Sequence, residues 1–134
     1  MSLPPLRYPL AVALGAVGGA LSRYYLGLYL SRFSATFPLG TFAVNVTGSF
    51  FMGGFITLVA QKFFNVSDAI VLGIATGFLG SYTTFSSYAL DTAKLNAQGL
   101  KQTAILYWLG SPVAGLLALQ LGSWFAKAIA QRTQ

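Results

Sequence analysis

Apolar residues gather in four long runs, at about 8–30, 38–60, 67–90 and 102–129, separated by short polar connections. A membrane-spanning helix needs about 20 mostly apolar residues, so each run predicts one span and together they predict an all-α membrane protein. The whole chain, 1–134, then forms a single four-helix transmembrane domain, with no length left for a soluble domain. The third run is interrupted. Gly77-Phe78-Leu79-Gly80-Ser81-Tyr82-Thr83-Thr84-Phe85-Ser86-Ser87-Tyr88 places two glycines three apart, followed by six hydroxyl side chains before Tyr88. Glycine lowers helix propensity, and Ser and Thr compete for backbone hydrogen bonds, so this helix is expected to break mid-membrane. Loosened backbone survives in a bilayer only where protein buries it or where it lines a wet cavity. The stretch is therefore either a site for an ion or small polar solute or a small-residue contact between helices.

Polar residues inside the other runs carry similar alternatives. Residues 1–7 form a short tail, too short for the charged region and cleavage site of a signal peptide before a full-length span. In the first run, Gly15-Ala16-Val17-Gly18-Gly19-Ala20 offers a small-residue packing face. Arg23 follows it, and either snorkels to the interface or turns inward as a fixed charge at an anion vestibule. Pro38 opens the second run, where Asn45 stands among apolar neighbours. Its carboxamide offers two N–H donors to an anion or to water, or it bridges two helices. Thr41, Thr47 and Ser49 share that choice. Ser67 and Asp68 read as a helix start. Phe85 and Tyr88, three apart beside Ser86 and Ser87, put two rings on one helical face, as packing or as electropositive ring edges beside an anion. Asp91 extends that face at the expected end of the span, a solvated carboxylate or a movable acid at a pore mouth. The fourth run contains Tyr107, Ser111 and Pro112, the last depriving a carbonyl of its helical partner.

Composition sharpens the picture. The 134 residues are 55% hydrophobic and only 7% charged, with a mean hydropathy of +0.67, against about 25% charged residues in an ordinary soluble domain. Cys, His and Glu are absent, and Asp68 and Asp91 are the only acids. Thiol chemistry, disulfides, haem ligation, the usual zinc sites and Ser-His hydrolysis are thereby excluded. The net charge of +6 comes from Lys and Arg scattered singly, as cations flanking spans are, so nucleic acid is not the expected partner; the bilayer is.

With four spans, Arg7, Lys62, Lys127 and Arg132 share one side, and Arg32, Lys94 and Lys101 the other, with Arg23 inside a span. Four cations against three give the positive-inside rule almost nothing to act on, so both orientations are expected. Four thin helices studded with small residues cannot enclose a pore alone, and an antiparallel homodimer is the natural assembly.

Three segments together resemble the Fluc/CrcB family of fluoride channels: Gly18-Gly19-Ala20-Leu21-Ser22-Arg23, Gly40-Thr41-Phe42-Ala43-Val44-Asn45 and Gly77 through Ser86. In this order, in a chain of this length, the match covers nearly the whole sequence. The resemblance implies a dual-topology antiparallel dimer in the cell (plasma or inner) membrane, with two fluoride pores and a structural Na⁺ at its centre. It implies that the backbone carbonyls of Gly80 and Thr83 hold the Na⁺, and that Asn45 is the pore asparagine. It implies that Phe85 and Tyr88 line the fluoride path, with Ser86, Ser87 and Thr41 as nearby hydroxyls, Arg23 as the first-helix arginine and Asp91 as an acid at the pore end. Tyr88 stands where the family usually has a second Phe, and Ser81 where Gly is frequent. Fluoride is small and strongly hydrated, so its path must replace lost water with donors of the kinds present here.

The main rival is a dual-topology, proton-coupled multidrug exporter of similar size, which needs a carboxylate inside the membrane; Asp68 and Asp91 are both expected at span ends. A non-transporting assembly subunit would use only the small-residue faces, and a membrane enzyme lacks an acid-base pair. The charge balance makes a direct prediction: reporter fusions at the carboxyl terminus label both faces of the membrane. A single orientation in cells refutes dual topology.

Overall fold

In the computed structural model, residues 4–132 are described, and among them there are helices and connections but no strand. Helix α1 is Arg7–Leu30, followed by a single 3₁₀ turn, Ser31–Phe33, and α2 is Leu39–Ala60. The third helix, α3, is built of Asp68–Leu72, a π-helical segment Gly73–Leu79 and a last turn Gly80–Tyr82. After a break come α4, Phe85–Ala97, and α5, Lys101–Arg132. Three helical stretches are long and apolar enough to cross a membrane: Leu39–Ala60, the broken pair Asp68–Ala97 and Lys101–Arg132. The 24-residue α1 has the length, but Arg23 and four tyrosines dilute its apolar character.

Helix starts fall close to expectation, while the third run ends later than expected. It continues to Ala97, so Asp91 lies inside α4 and not at its end, and the polar connection shrinks to 98–100. The stop is set by Gly99, whose φ of +78° is open to glycine at little cost. The Gly99 N–H donates to the Asn96 carbonyl at 3.1 Å and the Leu100 N–H to that of Leu95 at 3.0 Å, closing the helix end with a left-handed glycine cap. Ser67 does precede α3 in extended backbone, though its side chain makes no capping bond.

Glycine sets how the helices pair. α1 lies on α3, and a Cβ on Gly15 or Gly19 would collide with the Gly73 or Phe78 carbonyl oxygen. α2 lies along α5, where a Cβ on Gly53 would meet the Leu119 carbonyl and one on Gly122 the Phe50 carbonyl. Without a hydrophobic drive between helices in lipid, such backbone approach supplies the packing contact. Val44 of α2 is buried on the face whose Gly40 and Gly48 approach Gly27 of α1 and Tyr82 of α3, and another core joins Tyr88, Leu95, Ala104 and Tyr107 with Phe37 and Phe42 against them. The outer surface stays apolar, with Leu14, Leu106 and Trp124 each about 70% or more exposed, as suits a lipid-facing protein.

Candidate functional site

Between α3 and α4 the chain leaves helical geometry at two residues, Thr83 and Thr84, at φ −79°, ψ 157° and φ −152°, ψ 114°. Gly77 and Gly80 remain helical, in the π segment and the final turn. Glycine content therefore softens the helix; what opens it is a side chain from another helix. The Thr84 N–H donates to Asn45 Oδ1 at 2.7 Å, and Asn45 Nδ2 donates to the Thr84 carbonyl at 3.1 Å. One carboxamide thus pairs with both polar backbone groups of one residue. The two bonds orient the amide and leave the second N–H of its NH₂ group uncommitted to Thr84.

Thr84 also caps the restarted helix. Its Oγ1 accepts the Ser87 N–H at 3.1 Å and contacts the Ser87 and Ser86 hydroxyls at 3.0 and 3.2 Å. These bonds divert two donors. In an unbroken helix the Thr84 N–H would serve the Gly80 carbonyl and the Ser87 N–H the Thr83 carbonyl. The two carbonyls matched to a cation from sequence are therefore those that lose their helical donors. Gly80 is exposed, and a Cβ there would meet only Ala75 O, at an ordinary 3.5 Å.

Asn45, Ser49, Thr84, Phe85, Tyr88 and Ser111 line a cleft of about 400 Å³. The Phe85 and Tyr88 ring centroids lie 5.4 Å apart, tilted by 47°. Phe85 is 78% exposed on the chain's surface, whereas Tyr88 is buried and its hydroxyl donates to the Trp108 carbonyl at 2.6 Å. A second cleft, of about 360 Å³, is lined by Ser31, Ser34, Gly40, Thr41, Asp91 and Lys94. There the Thr41 hydroxyl donates to Asp91 Oδ2 at 2.6 Å, so Asp91 is tied to α2 rather than left as a solvated terminal group.

Ser111 at the first cleft and Tyr107 behind it lead toward the second, and residue types alone assign neither a role. Tyr107 and Ser111, one turn apart on α5, are buried, and neither hydroxyl has a well-placed hydrogen-bond partner among the described residues, though Thr41 and Ser111 both lie close to the Tyr107 hydroxyl. Tyr107 lies edge-on to Phe37, which faces the second cleft, and against Tyr88, which faces the first. Their spacing of four was the available signal, since it puts both hydroxyls on one helical face. Arg23 does not join the group. It is half-buried on α1, lines neither cleft and makes no ion pair among the described residues. Ser86 is exposed beside Phe85.

A polar cleft beside a helix broken and pinned at its middle, in a chain with three span-length apolar helices, defines a multi-pass helical membrane protein. Its sequence matches the family described as CrcB-like protein, Camphor Resistance (CrcB), over residues 10–123. The chain belongs to the CrcB family. Similar proteins include the fluoride-specific ion channel FluC of Synechococcus sp. (strain JA-2-3B'a(2-13)), 51% identical over 95% of this chain and 98% of that protein. The fluoride-specific ion channel FluC of Trichormus variabilis is 49% identical over 89% of this chain and 88% of its own length. That of Synechocystis sp. is 43% identical over 92% and 95%.

The Asn45 clamp predicts that Asn45→Leu, which keeps the branched heavy-atom skeleton but has no polar atoms, strands both backbone groups of Thr84. Each buried group left unpaired costs about 1–3 kcal/mol. A clearly lowered thermal transition of the purified protein is the expected result, and a wild-type transition removes Asn45 as the element that holds the break.

Proposed function

We propose that this chain is the subunit of a fluoride-selective channel that lets fluoride leave the cell down its electrochemical gradient. One observation carries the reading: the Asn45 carboxamide pins the broken helix while facing a cleft that the buried Ser111 and Tyr107 hydroxyls connect toward Thr41 at a second one. It agrees with relatives named fluoride-specific ion channels. No bond is made or broken along such a route, and the reading is non-enzymatic.

Fluoride gives up tightly held water only where donors replace it at once. The buried hydroxyls of Tyr107 and Ser111 lack a well-placed partner among the described residues, with Thr41 and Ser111 both close to the Tyr107 hydroxyl, Asn45 keeps an N–H that Thr84 does not use, and Ser49 faces the same cleft. The Phe85 and Tyr88 ring edges continue the series with weaker positive charge. Chloride, larger and a poorer acceptor, gains less from closely set donors. At the second cleft, Thr41 is already donating to Asp91, so an anion uses that hydroxyl only by displacing the carboxylate. This bond also argues against the multidrug exporter. Asp91 lies inside a helix after all, but it is engaged by Thr41 beside Lys94 rather than open to a cationic drug.

Four spans, with α1 as the first, place the break at membrane depth, where polar backbone needs cover. Gly80 and Ser86 are exposed there on a single copy, as is the Phe85 ring. A second copy, antiparallel as the loop charges allow, covers them and forms two equivalent paths in a cell (plasma or inner) membrane. The released Gly80 and Thr83 carbonyls fit a hard cation such as Na⁺, which takes oxygen ligands and needs no acidic side chain. Bound between the paths, Na⁺ would supply fixed positive charge.

Two measurements test this reading. In reconstituted liposomes the wild type passes fluoride and excludes chloride, and Phe85→Ile, which keeps volume but has no electropositive ring edge, loses most fluoride flux while folded and dimeric. Near-normal flux in Phe85→Ile makes that ring packing only, and no fluoride flux in the wild type overturns the channel. For the cation, the thermal transition rises with Na⁺ concentration and not with choline, as linkage requires of a ligand bound to the folded state. Identical transitions in both salts dispose of the Na⁺ site.

A further inference from the structure

Pro112 lies inside α5. Proline has no N–H, so the carbonyl of Trp108, four residues earlier, has no donor within its own helix. In a membrane no water makes good the loss. The donor comes from α4: the Tyr88 hydroxyl reaches the Trp108 carbonyl at 2.6 Å. A phenol has one proton, and here it is committed, so Tyr88 offers an anion only its ring. That ring is 6% exposed and held between Phe85 and Tyr107, with both centroids at 5.4 Å. Tyr88 also faces both the cleft shared with Asn45 and Pro112 and the neighbouring groove shared with Trp108.

We infer that Tyr88 is a positioning residue whose hydroxyl masks the carbonyl left open by Pro112, keeping that negative dipole end from the anion route and fixing the ring beside Phe85. The inference rests on the fluoride reading for its transport consequence. The hydrogen bond itself does not. Removing the hydroxyl alone uncovers an acceptor that repels fluoride and frees the ring. Replacing Pro112 by alanine returns an N–H that reaches the Trp108 carbonyl within α5, which makes the tyrosine hydroxyl dispensable. Tyr88 and Pro112 are therefore coupled in a definite sense: loss of the first is relieved by loss of the second.

The full-length protein is compared as wild type, Tyr88→Phe, Pro112→Ala and the double variant, by fluoride efflux from liposomes and by thermal transition. Tyr88→Phe lowers efflux about tenfold with chloride still excluded, and the double variant returns to within about twofold of Pro112→Ala, within the range of coupling between contacting residues. Wild-type efflux in Tyr88→Phe, or a double variant as slow as Tyr88→Phe, overturns the inference. If the wild type passes no fluoride, the channel reading fails and the thermal cycle decides alone. Rescue of the Tyr88→Phe transition by Pro112→Ala then supports masking, and additive losses overturn it. If Pro112→Ala does not fold, isotope-edited infrared of the Trp108 carbonyl replaces it. The band moves to higher frequency in Tyr88→Phe, and an unmoved band overturns the inference.

Discussion

The paired hydrogen bonds between the Asn45 carboxamide and the backbone of Thr84 are the constraint on which the site depends. A helix interrupted inside a membrane leaves donors and acceptors that no water satisfies. Asn45 supplies one of each, in the geometry of a backbone pair, so the chain can stay extended at Thr83 and Thr84 without an unpaired group at that residue. The other consequences follow from that bond. The Thr84 side chain becomes free to cap α4, the Gly80 and Thr83 carbonyls lose their donors, and the remaining Asn45 N–H stays at the cleft. One side chain thus both opens the backbone and furnishes part of what the opening exposes.

Such a bond requires α2 to sit close to the broken helix, and the glycines arrange it. Gly48 places α2 against Tyr82 and Thr83, while Gly53 and Gly122 bring α2 and α5 together. Thr47 and the Tyr82 hydroxyl, 2.9 Å apart, tie the same turn from the side. Close packing at these points leaves little freedom for the break to move, because interiors respond to displacement by clash rather than by smooth adjustment. Rigid neighbours therefore surround the segment with the least regular backbone.

A second interruption is settled by the same logic. Pro112 opens a carbonyl in α5 and Tyr88 closes it, as Thr84 opens two groups and Asn45 closes them. In both cases a polar side chain from one helix completes the backbone of another. The Tyr107 and Ser111 hydroxyls, without a well-placed partner among the described residues, are then conspicuous. Buried polar atoms without well-placed partners are rare and costly, and two of them one turn apart beside a polar cleft are poorly explained as packing alone.

Much of this was legible in the sequence. Four apolar runs, scarcity of charge, missing Cys, His and Glu, and a hydroxyl-rich interruption identify the fold class and the region of interest, because membrane insertion acts on the run of residue types alone. Helix ends read less well: α4 runs on to a glycine cap at Gly99, which moves Asp91 into a helix and beside Thr41. Sequence also left Asn45 with two open roles, and could not say which hydroxyls were spent. Those answers depend on partners 39, 50 and 20 positions away, for Asn45, Thr41 and Tyr88. Residue types state which hydrogen bonds a side chain can make; only the packing of glycine-faced helices decides which partner comes within 3 Å, and so which donors remain for a passing ion.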